Sequence, residues 1–397
     1  MRRHYDELAP PPRLLLGAGP SNPDPRVLRA LAWPPLGPLD PAFTAILEEI
    51  QALARYAFRT RNLRTYPVLG TARAGLEAVL ASLIEEGDRV VALVHGHYSA
   101  RLAETAGRHG AVVEAVEAPW GSVPDPDDVR RTLARGPAKL VAAVHVEAST
   151  GIEQPLAPLA ALCREHGALL VVDTAASLGA CEVDVDAWQI DACVGGLAGG
   201  LAGPVGLAPL TYNDAVEAAR ATRWRPPAAD YLDLAALQDY WSPDRRPHHA
   251  PPASLLYALH EALRLLHAEG LERRWMRHRR AGEALVAGLE AMGLRRFGDA
   301  RHHTPALAVM HAPAGVAEAR ARQQLLLDYG IEIAAGQGPL YGRVWRIGAL
   351  GYNARLENVL TLLAALEQVL GSHGYTVSPR AGPEAAQSRY SQPQGAN

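Results

Sequence analysis

Lysine is nearly absent from this chain. Among 397 residues Lys139 is the only one, and arginine carries almost all the positive charge. The accompanying abundance of Ala, Gly and Pro reads as a genomic G+C bias. Such a bias accounts for missing surface lysines; it does not account for the loss of an essential one. Cysteine is also scarce: Cys163, Cys181 and Cys193 are isolated and odd in number. Their spacing offers neither a disulfide framework nor a zinc site, and it suits a reduced, cytoplasmic setting. No apolar run approaches the roughly 20 residues that span a bilayer, and no basic segment followed by an apolar core opens the chain. The formal charge of −3 gives no electrostatic case for nucleic acid or an anionic membrane.

What is present is an alternation of helical and short apolar segments from about residue 25 onward. Helical periodicity covers 73–84, 101–109 and 156–166, and buried-strand patterns cover 89–94, 111–116, 140–145 and 168–172. Continuous apolar strands between helices predict a mostly parallel sheet covered on both faces, an α/β fold. Residues 1–20 are expected to be extended and to pack with a smaller domain. The large α/β domain is expected over 21–270 and the small one over 271–371. A Pro- and Arg-rich loop is expected at 222–252, then a long helix over 254–289 broken near Gly270. The Ser-, Gly-, Pro- and Gln-rich segment 372–397 predicts a disordered tail.

Several short motifs follow one another: Gly17-x-Gly-Pro-Ser-Asn22, Leu39-Asp-Pro41, Gly70-Thr71, Glu77, His145-x-Glu-x-Ser-Thr-Gly151, Val172-Asp-Thr174, Ser177-Leu-Gly179, His248-His-x-Pro-Pro252 and Trp345-Arg-Ile-Gly348. In this order they resemble the class V aminotransferases, the alanine–glyoxylate and serine–pyruvate branch of the fold-type I enzymes that use pyridoxal phosphate (PLP). The resemblance covers roughly residues 14–370. It implies a fold-type I homodimer, with the His-His-x-Pro-Pro loop reaching the partner subunit.

The resemblance also assigns a site. Asp173 aligns with the carboxylate that pairs with the pyridine nitrogen; alternatively it caps the following turn. Tyr98, in His95-Gly-His-Tyr-Ser-Ala-Arg101, aligns with the aromatic that stacks on the ring, or it is plain core packing. Thr71 retains one hydroxyl of the phosphate cradle. Beside it Arg73 either binds an anion or fills the phosphate's volume. Arg346 aligns with the arginine that forks onto the substrate α-carboxylate, against the alternative of a structural ion pair.

The family's Ser-x-x-Lys, whose lysine forms the Schiff base with PLP, is replaced here: the aligned residue is Gly199, preceded by Ala198. Glycine can supply neither the covalent link nor a proton carrier. Ala250 replaces the cross-subunit Thr, Ala72 a cradle glycine, and Ala148 another polar group near the ring. Loss of several charge-assisted hydrogen bonds, about 1.5–3 kcal/mol each, predicts much weaker PLP binding. Ordinary transamination through a covalent lysine–PLP link is therefore expected to be absent.

His145, His95 and His97 are the candidate acid–base residues. If the segment is extended, His95 and His97 share one face; two new ligands do not make a metal site, and no metal is expected. Three functional readings remain: a repurposed enzyme binding a small amino or oxo carboxylate without covalent PLP, a non-catalytic partner of an aminotransferase paralogue, or an enzyme holding PLP or its amine form (PMP) noncovalently.

Overall fold

The computed structural model describes residues 6–246 and 248–392. Its centre is a seven-stranded sheet of β1 (Arg64–Leu69), β2 (Arg89–Val94), β3 (Val112–Glu117), β4 (Leu140–Val144), β5 (Leu169–Thr174), β6 (Ala192–Gly195) and β7 (Leu207–Tyr212), in the spatial order β1-β7-β6-β5-β4-β2-β3. All neighbouring pairs from β3 to β6 are parallel, whereas β7 runs antiparallel to both β1 and β6. A parallel return needs a crossover of a dozen or more residues, usually a helix. The loop 196–206 is too short for one, so β7 turns straight back. The central residues of β2, β4 and β5 are buried, as continuous Val- and Leu-rich runs require when both faces are covered.

The flanking helices that shape the site are α1 (Ala72–Leu83) and α2 (His97–Arg108). Further along, α3 (Ala253–Glu269) and α4 (Leu271–Ala291) meet at Gly270. A second sheet holds β8 (Leu307–His311), β9 (Ala334–Ala335) and β10 (Val344–Gly348), with β10 in the middle. The N-terminal residues Leu14–Leu15 pair in parallel with Ile331–Glu332. Two main apolar cores result: one runs from Val27 to Leu271, the other contains Leu16 and residues from Ala281 to Ala386.

Two segments depart from the sequence expectation. The loop expected at 222–252 contains a helix, Leu234–Trp241, that buries Leu234, Leu237, Tyr240 and Trp241. The segment expected as a disordered tail contains α6 (Ala381–Ser391), which packs on α4 and on α5 (Leu356–Ser372). Ala386 is fully buried, Arg389 pairs with Glu283 at 2.9 Å, and Arg280 lies over the Tyr390 ring at 4.4 Å. Small side chains let that helix dock closely, and composition alone does not distinguish such a helix from a linker. Residues 393–397 of the expected tail lie outside the described residues.

Candidate functional site

The carboxyl ends of β2, β4, β5 and β6 point to one edge of the sheet, where open α/β folds place ligands. Asp173 stands near the end of β5, buried, with Oδ1 accepting from the Ala175 backbone N–H at 2.8 Å. Burial pushes its pKa up to about 6, with the Glu147 charge adding to the rise and the Ala175 hydrogen bond opposing it. No cation pairs with it among the described residues. A buried carboxylate in this state is poised for a cationic ligand group.

Gly199 lies in the loop after β6. A Cβ built there meets only the Ala175 carbonyl oxygen, at 3.6 Å, whereas one on Gly200 would strike Ala180 N at 2.4 Å. Position 199 therefore has room for a side chain beside the Asp173–Ala175 turn. Lys139 is on the opposite edge: it precedes β4 and pairs with Asp88 at 3.4 Å. At ~3.3 Å per residue, β4 alone separates it from the site by about 16 Å, beyond a lysine's reach.

Tyr98 is the second residue of α2. It packs against a buried cluster of Ala148, Leu307, Val309, Leu340 and Val344, and its hydroxyl accepts from Gln337 Nε2 at 3.2 Å. Arg346, on the central strand β10, is buried; its Nε donates to the Ala335 carbonyl at 2.7 Å and Nη1 to the Ala148 carbonyl at 3.2 Å. It has no carboxylate partner among the described residues, so the ion-pair alternative does not describe this arginine. Ala148 and Gln337 bring Arg346 and Tyr98 into one neighbourhood. Thr71 caps α1 without a side-chain hydrogen bond and is exposed, as is Arg73 one residue into the helix. The first turn of α1 thus remains open to an anion.

The three histidines separate. His145 Nδ1 lies 2.9 Å from Ser177 Oγ, its Nε2 faces Glu153 at 3.8 Å, and its ring meets Trp188 edge-on. It is a buried, fully partnered group. His95 is sealed, with neither ring nitrogen hydrogen-bonded; burial holds its pKa below the ordinary value against the pull of the Glu147 charge. His97 begins α2 after Gly96 and is half-buried, so strand alternation does not place it on one face with His95.

Sequence reasoning missed the role of Glu147. Its carboxylate accepts from the backbone N–H groups of Tyr98 and Ser99 and from Ser149 Oγ at 2.6 Å, capping α2 from across the fold. Gly96 permits that approach, since a Cβ there would sit 2.3 Å from Glu147 Cγ. The usual capping box is local; this cap comes from 49 residues away and leaves no short-range pattern. Gln337, with its Oε1 buried and unpartnered, was also not singled out.

Asp173 at a strand end, Tyr98, the open N-terminus of α1 and Arg346 are the positions at which the resemblance to class V aminotransferases expects cofactor and substrate contacts. The model for aminotransferase class-V matches residues 37–347, and the chain belongs to that family. It is 45% identical over 385 residues to the (S)-ureidoglycine–glyoxylate transaminase of Bacillus subtilis, covering 92% of each chain. The crystal structure of the ureidoglycine–glyoxylate aminotransferase from that organism superposes with a TM-score of 0.96, over 98% of this chain and 100% of the other. The mouse alanine–glyoxylate aminotransferase is 36% identical over 91% of this chain and 89% of its own length. Among the described residues no helix is long and apolar enough to cross a membrane.

Tested against PLP, the residues fit the ring and the phosphate edge but not the covalent attachment. Asp173 lacks a cationic partner among the described residues and Thr71 stands exposed at the start of α1, while position 199 offers no amine.

Proposed function

We propose that this protein binds a small 2-oxo or 2-amino carboxylate at Arg346, in a class V aminotransferase pocket that makes no covalent link to PLP. The observation that carries this reading is the buried Arg346 guanidinium, anchored by two carbonyls and left without a carboxylate. An unpaired buried cation is costly, and a ligand carboxylate offsets that cost with a planar, two-oxygen match. The names of the relatives make glyoxylate and alanine the first probes. Each should raise the melting temperature by mass action, and Arg346→Ala should abolish the rise. An unchanged rise in that variant would remove the carboxylate reading.

A second reading, PLP or PMP held noncovalently, is favoured by Asp173. When bound, the cofactor supplies an electron sink. Asp173 would hold its ring nitrogen, Tyr98 its face, and Thr71 with the first turn of α1 its phosphate. Neither His145, committed to Ser177, nor the sealed His95 is free to carry a proton to a ligand in this arrangement.

The family resemblance further supports a homodimer. The His248–Pro252 loop borders a cavity of about 660 Å³ shared with Leu36, Pro38 and Leu39, and Leu39 is 91% exposed. An apolar surface of this kind suits a partner subunit.

A further inference from the structure

Behind the loop that carries Gly199 lies a separate cavity of about 350 Å³, walled by Leu201 and Ala202 on one side and by the α3–α4 junction on another. Its charged lining is four arginines, Arg26, Arg274, Arg277 and Arg355, against two carboxylates, Asp24 and Glu269. Neither Arg346, Asp173 nor Tyr98 lines it.

The hydrogen bonds show which charges are spent. Asp24 is taken by Arg26, whose Nε reaches Oδ1 at 3.0 Å and Nη2 reaches Oδ2 at 2.9 Å. Glu269 is shared: Arg277 donates Nε at 2.6 Å and Nη2 at 3.1 Å, and Arg274 donates Nη1 at 3.0 Å. The remaining Nη1 of Arg277 goes to the carbonyls of Gly351 and Ala354, and Nη2 of Arg274 to that of Gly200. Burial would raise the Glu269 pKa, yet the two arginines hold it down to about 2, and the Arg26 hydrogen bond lowers that of Asp24, so both carboxylates are ionised near neutral pH. Two guanidinium charges are left over. Arg274 is almost wholly buried and its Nε has no partner. Arg355 stacks on the Tyr352 ring at 3.9 Å; its charge acts on Asp24 through space, but among the described residues it makes no direct ion pair.

We propose that this cavity is a second ligand site, for a small dianion such as a dicarboxylate or a phosphate monoester. Its volume is at the small end of ligand pockets, and guanidinium forks match carboxylate and phosphate oxygens alike. The site shares a wall with the Gly199 loop, because Arg274 holds the Gly200 carbonyl while Ser21 Oγ reaches the Gly199 carbonyl from the other side. A ligand that draws on Arg274 therefore bears on the floor of the main pocket, and any coupling between the two sites is reciprocal.

Titration calorimetry of the full chain with inorganic phosphate, and separately with succinate, in a buffer without competing anions tests this. At least one should bind saturably, and which binds more tightly identifies the ligand chemistry. Arg355→Ala and Arg26→Ala should each weaken that binding about tenfold or more, as expected for lost charge-assisted contacts. The main pocket also takes anions in this reading, so Arg346→Ala and Arg73→Ala remove that contribution, and one saturable site should persist in each variant. Arg355 anchors no ion pair, so its variant should fold; the Arg26 variant provides an independent check. No saturable binding of either anion, undiminished affinity in Arg355→Ala, or loss of all saturable binding in Arg346→Ala or Arg73→Ala would overturn the proposal.

Discussion

Gly199 has no side chain, and the backbone around it leaves room for one. A Cβ there meets only the Ala175 carbonyl oxygen, at 3.6 Å, and its φ is not in the left-handed region, so the backbone accepts the start of a side chain. Gly199→Lys is thus expected to gain what the natural chain lacks. After addition of PLP, the variant should absorb as a yellow protein. Borohydride should then fix about one PLP per chain in the peptide containing residue 199, while the natural sequence shows no such product. A variant that stays colourless would mean that the rest of the site no longer holds the cofactor.

Asp173 makes an energetic prediction at the same scale. Its carboxyl is moved from 3.8 to about 6 in the folded state, so between those pH values the native protein binds the extra proton. Stability therefore falls as pH rises through that window. Above pH 6 the penalty is on the order of 3 kcal/mol. Asp173→Asn, which retains an acceptor for Ala175 N–H, should be more stable than the natural protein at pH 8, by about 1–3 kcal/mol. The gain should vanish near pH 4. Urea unfolding at the two pH values, without ligand, decides it; equal stability at pH 8 would show that Asp173 already has a cationic partner.

Among the elements, α4 carries a buried group that holds the backbone at Gly351. His278 is buried on that helix: its Nδ1 lies 2.8 Å from the Arg274 carbonyl, and its Nε2 accepts from Gly351 N–H at 2.8 Å. The imidazole must be neutral to make both bonds. Burial, followed by the charges of Arg274 and Arg277, pushes its pKa down to about 3. The unfolded chain takes up the proton near 6.5, so stability contributed by neutral His278 is complete above that value and declines as pH falls towards 3. His278→Gln should cost about 1–3 kcal/mol at pH 7 through imperfect hydrogen bonding, yet flatten the acid dependence between pH 6 and 4. A parallel acid profile in the variant would assign the acid sensitivity elsewhere.

Much of this element scale was legible in the sequence, because strands such as Arg89–Val94 declare themselves by local periodicity, as does the helix expected over 101–109, whose first turn begins earlier, at His97. The short helix Leu234–Trp241 and α6 did not, since Pro- and Ser-rich surroundings mask them and their burial depends on distant surfaces. The same limit hid the Glu147 cap on α2.

For the whole molecule, the proposed homodimer predicts a mass by light scattering near twice 42.4 kDa for protein purified alone. A monomer that pairs only with an aminotransferase paralogue would replace that proposal with the partner-subunit one. Introducing a charge at the exposed apolar loop, as in Leu39→Asp, should shift the natural protein towards monomer if that surface is buried between subunits.

Family membership, the lone lysine, the glycine at position 199 and the presence of an arginine at 346 were all determined by the sequence, because each is a matter of which residue stands in an ordered series of motifs. The tertiary structure decided what those residues are free to do. Arg346 is available because the carbonyl it holds belongs to Ala148, 198 residues away, and no carboxylate arrives with it. His145 is engaged because Ser177 and Glu153 close on it, and Lys139 is excluded because it begins a strand whose other end forms the site. A side chain's chemistry is fixed by its covalent identity, while its protonation and partners depend on what distant segments bring against it. Those contacts form only when the sheet and the two cores assemble.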